Sequence, residues 1–210
     1  MIHDFATILE ETKEIGFVER VISYLVYVEG LPDAHADEVV LFESGAIGKI
    51  TSLTHSSVEV LSFAKNPIQV GERVVRTGLQ LEIPVGDDLL GKTISPLGQA
   101  NDPTQPMPPM THRRPIDILP PDIKSRVRIT HPCLTGVTLV DRLIPIGKGQ
   151  RELIIGDQKT GKTRFALRAL VAQVKQGSIG VYAGIGKGKG TIRQVEAFLG
   201  HMGVRNQTIN

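Results

Sequence analysis

The sequence ELIIGDQKTGKT, residues 152–163, leads directly into a stretch with helical periodicity. The apolar run that ends at Ile155 is typical of a buried strand. Two glycines, Gly156 and Gly161, follow it and permit a tight turn. Beyond Thr163, apolar residues recur at helical spacing, at Ala166, Leu167, Leu170, Val171 and Val174. The pattern predicts a strand over 152–155, a glycine loop and a helix over 162–176.

The loop itself fits the pattern G-x-x-x-x-G-K-[ST] completely. Its glycines let successive backbone N–H groups converge on one point, and the N-terminus of the following helix adds positive potential. Lys162 supplies a full positive charge for terminal phosphates, and the hydroxyl of Thr163 is placed to coordinate magnesium. We therefore predict a polyphosphate site made by Gly156, Asp157, Gln158, Lys159, Thr160, Gly161, Lys162 and Thr163.

The segments after this loop continue the alternation of strand and helix. We expect a strand over 179–184, a helix over 190–202 and the start of a strand over 207–210, which together imply a parallel sheet. A second glycine-rich stretch, GIGKGKGT at 184–191, does not fit the phosphate-loop pattern, because Gly190 stands where Ser or Thr is required. It follows a strand, however, and Lys187 either faces the same phosphates or is a solvated loop residue.

The first part of the chain shows strand signals instead. After an amphipathic start, short runs rich in β-branched residues alternate with turn residues and predict a small closed β-barrel or sandwich over about 15–85. The six runs span 17–28, 39–42, 46–53, 57–63, 73–77 and 81–85. Seven of the thirteen prolines fall within 101–122, which indicates a connection rather than a helix or central strand. The predicted divisions are a helical segment at 1–15, a barrel at 16–86, a connection at 87–150 and a nucleotide-loop domain at 151–210.

The bulk properties argue against several other classes of protein. The chain has 210 residues, of which 40% are hydrophobic and 22% charged, and no apolar run is long enough for a membrane helix. The acidic start lacks the features of a signal peptide, so we expect no export. The six histidines lack ligand spacing, and the single cysteine, Cys133, is expected to be a packed thiol. A net charge of +2 and sparse aromatics argue against a nucleic-acid partner.

Three segments together resemble the alpha subunit of F-type ATP synthase: 76–99, 134–163 and 181–192. The run GKGQRELIIGD, residues 147–157, is especially specific to that family. The resemblance implies a β-barrel followed by a RecA-like domain, truncated in this chain, within a ring of alternating alpha and beta subunits. It further implies ATP or ADP with Mg²⁺ as cofactor, a central-stalk gamma subunit and a peripheral-stalk delta subunit as partners, and no direct membrane insertion. The complex would lie at the cytoplasmic face of the membrane and couple ATP synthesis to ion transport, including hydrogen ion transport.

The resemblance also bears on individual residues. Asp157 and Thr160 agree with the alpha pattern GDRQTGKT, whereas Gln158 and Lys159 stand where alpha subunits have Arg and Gln. At the position of Lys187, beta subunits place the glutamate that polarises the attacking water, and alpha subunits place glutamine. A protonated lysine is not a base. The hypothesis is therefore an ATP-binding site that is not catalytic, with no catalytic residue in this chain.

Two other readings share the barrel and the phosphate loop. One is a catalytic hexameric ATPase of the flagellar or secretion type, which a glutamate at position 187 would have favoured. The other is an RNA-translocating ring that resembles the Rho terminator, which requires an RNA-binding face on the barrel. A purely structural role in an assembly is a third possibility.

Overall fold

The computed structural model describes residues 4–101, 107 and 112–210. The chain divides into two compact units. The first, here called the barrel unit, comprises Met1–Ile83 and Arg114–Ile118, and the second unit comprises Pro84–Arg113 and Leu119–Asn210. The proline-rich connection predicted over 101–122 lies partly outside the described residues, at 102–106 and 108–111.

The barrel unit is built around a closed antiparallel barrel of six strands, as predicted. Their order around the barrel is β1-β2-β5-β4-β3-β6. The side chains of Phe42 and Ile50, with those of several valines, are completely buried in its centre. Closure leaves the barrel without an open edge. The strands are β1 (Gly16–Ile22), β2 (Leu25–Glu29), β3 (Glu38–Phe42), β4 (Ile47–Leu53), β5 (Val58–Ser62) and β6 (Arg73–Gln80).

Two of the predicted strand runs take a different form in the structure. The run 17–28 is divided into β1 and β2 by a turn at Ser23, whose φ is 57°. The run 81–85 lies outside the barrel, where β7 (Glu82–Pro84) pairs with β8 (Arg113–Pro115) in a two-stranded sheet. The six strands of the barrel thus come from five of the six predicted runs.

A short helix, α1 (Phe5–Thr12), packs on the outside of the barrel. The side chain of Asp4 caps it by accepting a hydrogen bond from the amide of Phe5 at 2.9 Å. Ile8 is 4% exposed and lies in a small apolar cluster with Leu41 and Val75. The predicted amphipathic start is therefore a helix whose apolar face covers β3 and β6.

The described residues of the second unit form three α-helices and a small parallel sheet. Strands β9 (Gly180–Val181) and β10 (Thr208–Ile209) pair in parallel. The helices are α2 (Thr138–Leu143), α3 (Lys162–Val174) and α4 (Lys189–His201). A buried apolar cluster joins α3 and α4, formed by Leu167, Val171, Val174, Val195, Leu199 and Val204. None of the helices of the described chain is long and apolar enough to span a bilayer.

The residues around Lys92 run beside β10, on the side away from β9. The amide of Gly91 donates to the carbonyl of Thr208 at 2.7 Å, and the amide of Ile94 donates to the carbonyl of Asn210 at 2.8 Å. The amide of Asn210 in turn donates to the carbonyl of Lys92 at 3.1 Å. A segment from the start of the second unit thus extends the sheet made by its last residues.

The strand predicted over 152–155 is not a strand in this structure. Leu153 and Ile155 are 82% and 83% exposed. An apolar run becomes a strand only where neighbouring strands accept its backbone hydrogen bonds, and no described residue pairs with this one. The prediction was wrong because periodicity reports burial potential and not the presence of a partner.

Candidate functional site

The predicted phosphate loop lies directly before α3, which begins at Lys162. Gly161 has a φ of 93° and Lys159 a φ of 62°, both in the left-handed region. The hydroxyl of Thr160 donates to the carbonyl of Asp157 at 2.8 Å. These features curl residues 156–161 into a compact turn that feeds into the first turn of the helix.

The amino end of α3 is well suited to an anion. Its first helical hydrogen bond runs from the amide of Phe165 to the carbonyl of Gly161 at 2.9 Å. The amides that precede it in the first turn have no partner within the helix. No side chain caps this end of α3. Exposed N–H groups at a helix N-terminus are the donors that a phosphate accepts.

The side chain of Lys162 folds back over the loop. Its ammonium group donates to the carbonyls of Gly156 at 2.6 Å and Asp157 at 2.5 Å, and lies 3.5 Å from the hydroxyl of Thr160. A Cβ atom on Gly156 would lie 3.0 Å from that hydroxyl, so glycine fits the close approach there. The positive charge is therefore fixed at the mouth of the loop.

The remaining predicted residues lie on the solvent side of this loop. Gln158 and Lys159 form its exposed turn, and Thr163 is exposed in the first turn of α3. The donor set consists of backbone amides, one ammonium group and one hydroxyl that can ligate a hard cation. This set fits a magnesium-bound polyphosphate, because magnesium uses few protein ligands and keeps phosphate oxygens and waters.

The second glycine-rich loop, residues 184–191, makes contacts that are separate from those of the phosphate loop. A Cβ atom on Gly184 would lie 2.5 Å from Cδ1 of Ile192 and 3.7 Å from Cγ of Lys187, so the lysine stem lies over its own loop. The side chain of Lys187 is exposed. Within the described part of the chain, no hydrogen bond or ion pair joins Lys187 to the phosphate loop.

A polar clamp that supports α3 was not predicted. The carboxylate of Asp141 accepts hydrogen bonds from the amide and hydroxyl of Thr135, at 2.8 and 2.7 Å, and from the amide of Gly136 at 3.1 Å. These hydrogen bonds lower the pKa of Asp141 below its ordinary value, and those from Thr135 contribute the most. The side-chain amide of Gln173, in α3, donates to the carbonyl of Leu134 at 2.7 Å. The only sequence signal was a Thr-Gly pair five to six residues before an aspartate.

Across residues 4–101, 107 and 112–210, no group of three or more His, Cys, Asp or Glu side chains is arranged to hold a metal ion. A cation at the phosphate loop would thus depend on the hydroxyl of Thr163 and on the phosphates it accompanies.

The comparisons with known proteins point to one family. Residues 136–209 match the ATP synthase alpha/beta family, nucleotide-binding domain. The chain is 42% identical over 182 residues to ATP synthase subunit alpha 1 of Paraburkholderia xenovorans, and the aligned residues cover 86% of this chain and 36% of that protein. It is 34% identical over 209 residues to ATP synthase subunit alpha 2 of Syntrophotalea carbinolica, covering 99% and 40%. It is 36% identical over 197 residues to ATP synthase subunit alpha of Staphylococcus aureus, covering 93% and 39%.

The fold and the matched region define the class: a β-barrel followed by an α/β domain with a phosphate-loop motif, in which residues 136–209 match the ATP synthase alpha/beta family. Over most of its length, the chain is similar to ATP synthase alpha subunits. This confirms the resemblance seen in the sequence motifs. The chain spans about two fifths of the length of these relatives.

Proposed function

We propose that this chain binds ATP or ADP with Mg²⁺ at Gly156–Thr163, as a non-catalytic alpha-type part of a rotary F-type ATP synthase. The observation that supports it most is the loop geometry. The curled backbone, the uncapped start of α3 and the ammonium of Lys162 all present positive potential to one point. The polyphosphate of ATP or ADP carries enough negative charge to use all three.

Each residue has a distinct role in this proposal. The amides of the loop and of the first turn of α3 hold the phosphates, and Lys162 exchanges its two carbonyl contacts for phosphate oxygens. The hydroxyl of Thr163 would ligate magnesium, which supplies neutralisation of the phosphate charge when bound. We also propose the domain division predicted from the sequence, with a barrel domain over 16–86, a connection over 87–150 and a nucleotide-binding domain over 151–210.

The absence of turnover is the second part of the proposal. It rests on Lys187, which stands where the resemblance places a glutamate in catalytic subunits and which cannot accept a proton while charged. The proposed partners are beta subunits in an alternating ring, the gamma subunit and the delta subunit. The proposed location is the cytoplasmic face of the membrane, in a complex that couples ATP synthesis to ion transport.

The test compares Lys162→Ala with Lys175→Ala by calorimetric titration with Mg-ATP. Loss of the charge-assisted contact at Lys162 is expected to weaken binding by about 1.5 to 3 kcal/mol. Lys175 lies at the other end of α3 with an exposed side chain, so its variant controls for a general loss of positive charge. Equal affinity in the wild type and Lys162→Ala would refute the site. ATP turnover in a ring whose beta sites are disabled would refute the non-catalytic role alone.

A further inference from the structure

Residues 114–118, here called the strap, return to the barrel unit between two stretches that belong to the second unit. The chain therefore passes between the two units at three peptide connections, after residues 83, 113 and 118. A segment so short must be held to the barrel by identifiable contacts.

Burial of apolar side chains contributes little to the attachment of the strap to the barrel. Ile116 and Ile118 are 39% and 67% exposed. The start of the strap takes part in β8, and the amide of Ile116 donates to the carbonyl of Leu81 at 2.9 Å. Its far end is held by Asp117, whose carboxylate contacts the ammonium of Lys49 at 2.5 Å. Polar contacts therefore decide whether the strap stays in place.

Lys49 projects from β4 and is bracketed by two carboxylates. Its side chain is only 15% exposed, and its ammonium lies 2.9 Å from Oδ1 of Asp37 as well as 2.5 Å from Oδ2 of Asp117. The hydrogen bond to Asp117 makes the largest contribution to raising the pKa of Lys49, and the hydrogen bond to Asp37 adds to it, so the ammonium group stays charged. One positive charge is thus shared by two negative ones.

The two carboxylates differ in how firmly they are placed. The amide of Asp37 donates to the carbonyl of Ile50, in β4, at 3.0 Å, which fixes Asp37 on the barrel. Asp117 has a side chain that is 54% exposed and lies on the strap. If Asp117 moves away, Lys49 keeps Asp37 as its partner, and Asp117 returns to water. Release therefore leaves no charge without a partner, which removes the usual large cost of breaking a shielded ion pair.

We propose that residues 114–118 are a releasable strap and that the contact between Lys49 and Asp117 is its latch. With the latch closed, three peptide connections join the two units. With the latch open, the strap is held only at its start, by the pairing of β8 with β7 and by the hydrogen bond from Ile116 to Leu81. The latch thus sets how much free chain links the barrel unit to the second unit. This inference does not depend on the proposed nucleotide site.

Hydrogen exchange of the 210-residue chain, read by mass spectrometry at peptide resolution, tests the latch. In Asp117→Asn, the amide of Ile116, which is hydrogen-bonded to Leu81, is expected to exchange about five-fold faster within the peptide that covers 116–118 than in the wild type, the ratio typical of one partly exposed ion pair. Raising sodium chloride from about 0.05 M to about 0.5 M should accelerate this exchange in the wild type but not in the variant.

The matched control is Glu43→Gln, which removes a different ion pair, with Arg73, from the same barrel. It should leave exchange at 116–118 unchanged. Acceleration confined to the strap in Asp117→Asn supports the latch. Wild-type exchange at 116–118 in that variant, or acceleration shared equally by the peptides of the barrel strands, would overturn it.

Discussion

Replacement of Gly161 by alanine tests whether the left-handed residue before α3 is needed for nucleotide binding. Gly161 has a φ of 93°, and no heavy atom lies within 4 Å of the position that a Cβ would occupy. The substitution therefore introduces no clash, and its cost is backbone strain alone. For an L-residue in the left-handed region this strain is about 1 to 2 kcal/mol.

Whether the empty loop can relax decides if the strain lowers the stability of the free protein or weakens nucleotide binding. Residues 156–161 are exposed, and the curl of the empty loop is held by hydrogen bonds of Thr160 and Lys162 without buried packing, so the variant can relax. Nucleotide binding must then restore the strained geometry. The cost appears as weaker binding, by about 5- to 30-fold in Kd, rather than as lower stability of the free protein.

Gly177→Ala is the matched control for this experiment. Gly177 follows the other end of α3, has a φ of 90°, and likewise has open space around its Cβ position. Its amide donates to the carbonyl of Val174 at 2.9 Å, so its conformation is held by the helix end. We expect this variant to lose thermal stability and keep its affinity for Mg-ATP, as measured by calorimetry. Equal affinities for Gly161→Ala and Gly177→Ala would refute the argument.

Three further substitutions concern the barrel, helix α4 and the clamp beside α3. Gly48→Ala would place a Cβ 2.4 Å from Cγ1 of Val60, so overpacking should lower the free energy of unfolding in urea by about 1 to 3 kcal/mol. Gly200→Ala in α4 meets open space and should instead raise it by about 0.5 to 1 kcal/mol; a loss of stability there would contradict the packing argument. Asp141 has a lowered pKa in the folded state, so its stabilising contribution is complete above its ordinary value of 3.8 and is lost as the pH falls through the folded value. Asp141→Asn should therefore remove part of the acid dependence of stability below about pH 4, and identical acid titrations of the two proteins, followed by circular dichroism, would count against the clamp.

The barrel could be predicted from the sequence because its strands carry β-branched residues and are separated by turn residues. The turn at Ser23 was missed, since neither Gly nor Pro marks it and the adoption of a φ of 57° by a serine has no local signature. The run 152–155 was wrongly predicted as a strand because it carries a strand signal without forming a strand. Its composition is that of a buried strand, but strand formation depends on a neighbour that periodicity cannot report.

The turn before α3 was predicted from its motif, because that motif specifies backbone geometry directly, and the binding of phosphate by its residues stays a prediction. The hydrogen bonds of Lys162 to its own loop were not predicted, since they depend on how tightly Gly156 and Asp157 curl. The clamp of Asp141 on Thr135 was also missed, as its spacing belongs to no known phosphate pattern. Contacts over long sequence separations, such as Lys49 with Asp117, leave no pattern in a single sequence.

The pairing of the segment at Lys92 with Asn210 bears on the order in which the chain acquires structure during its synthesis. The barrel has its last strand once Gln80 has left the ribosome, apart from the later return of the strap. The segment at Lys92 emerges soon afterwards, yet its neighbour in the sheet is translated more than a hundred residues later. Synthesis at about 5 to 20 residues per second makes this a wait of about 6 to 24 seconds, during which the barrel strands are all present and the segment at Lys92 still lacks its sheet neighbour.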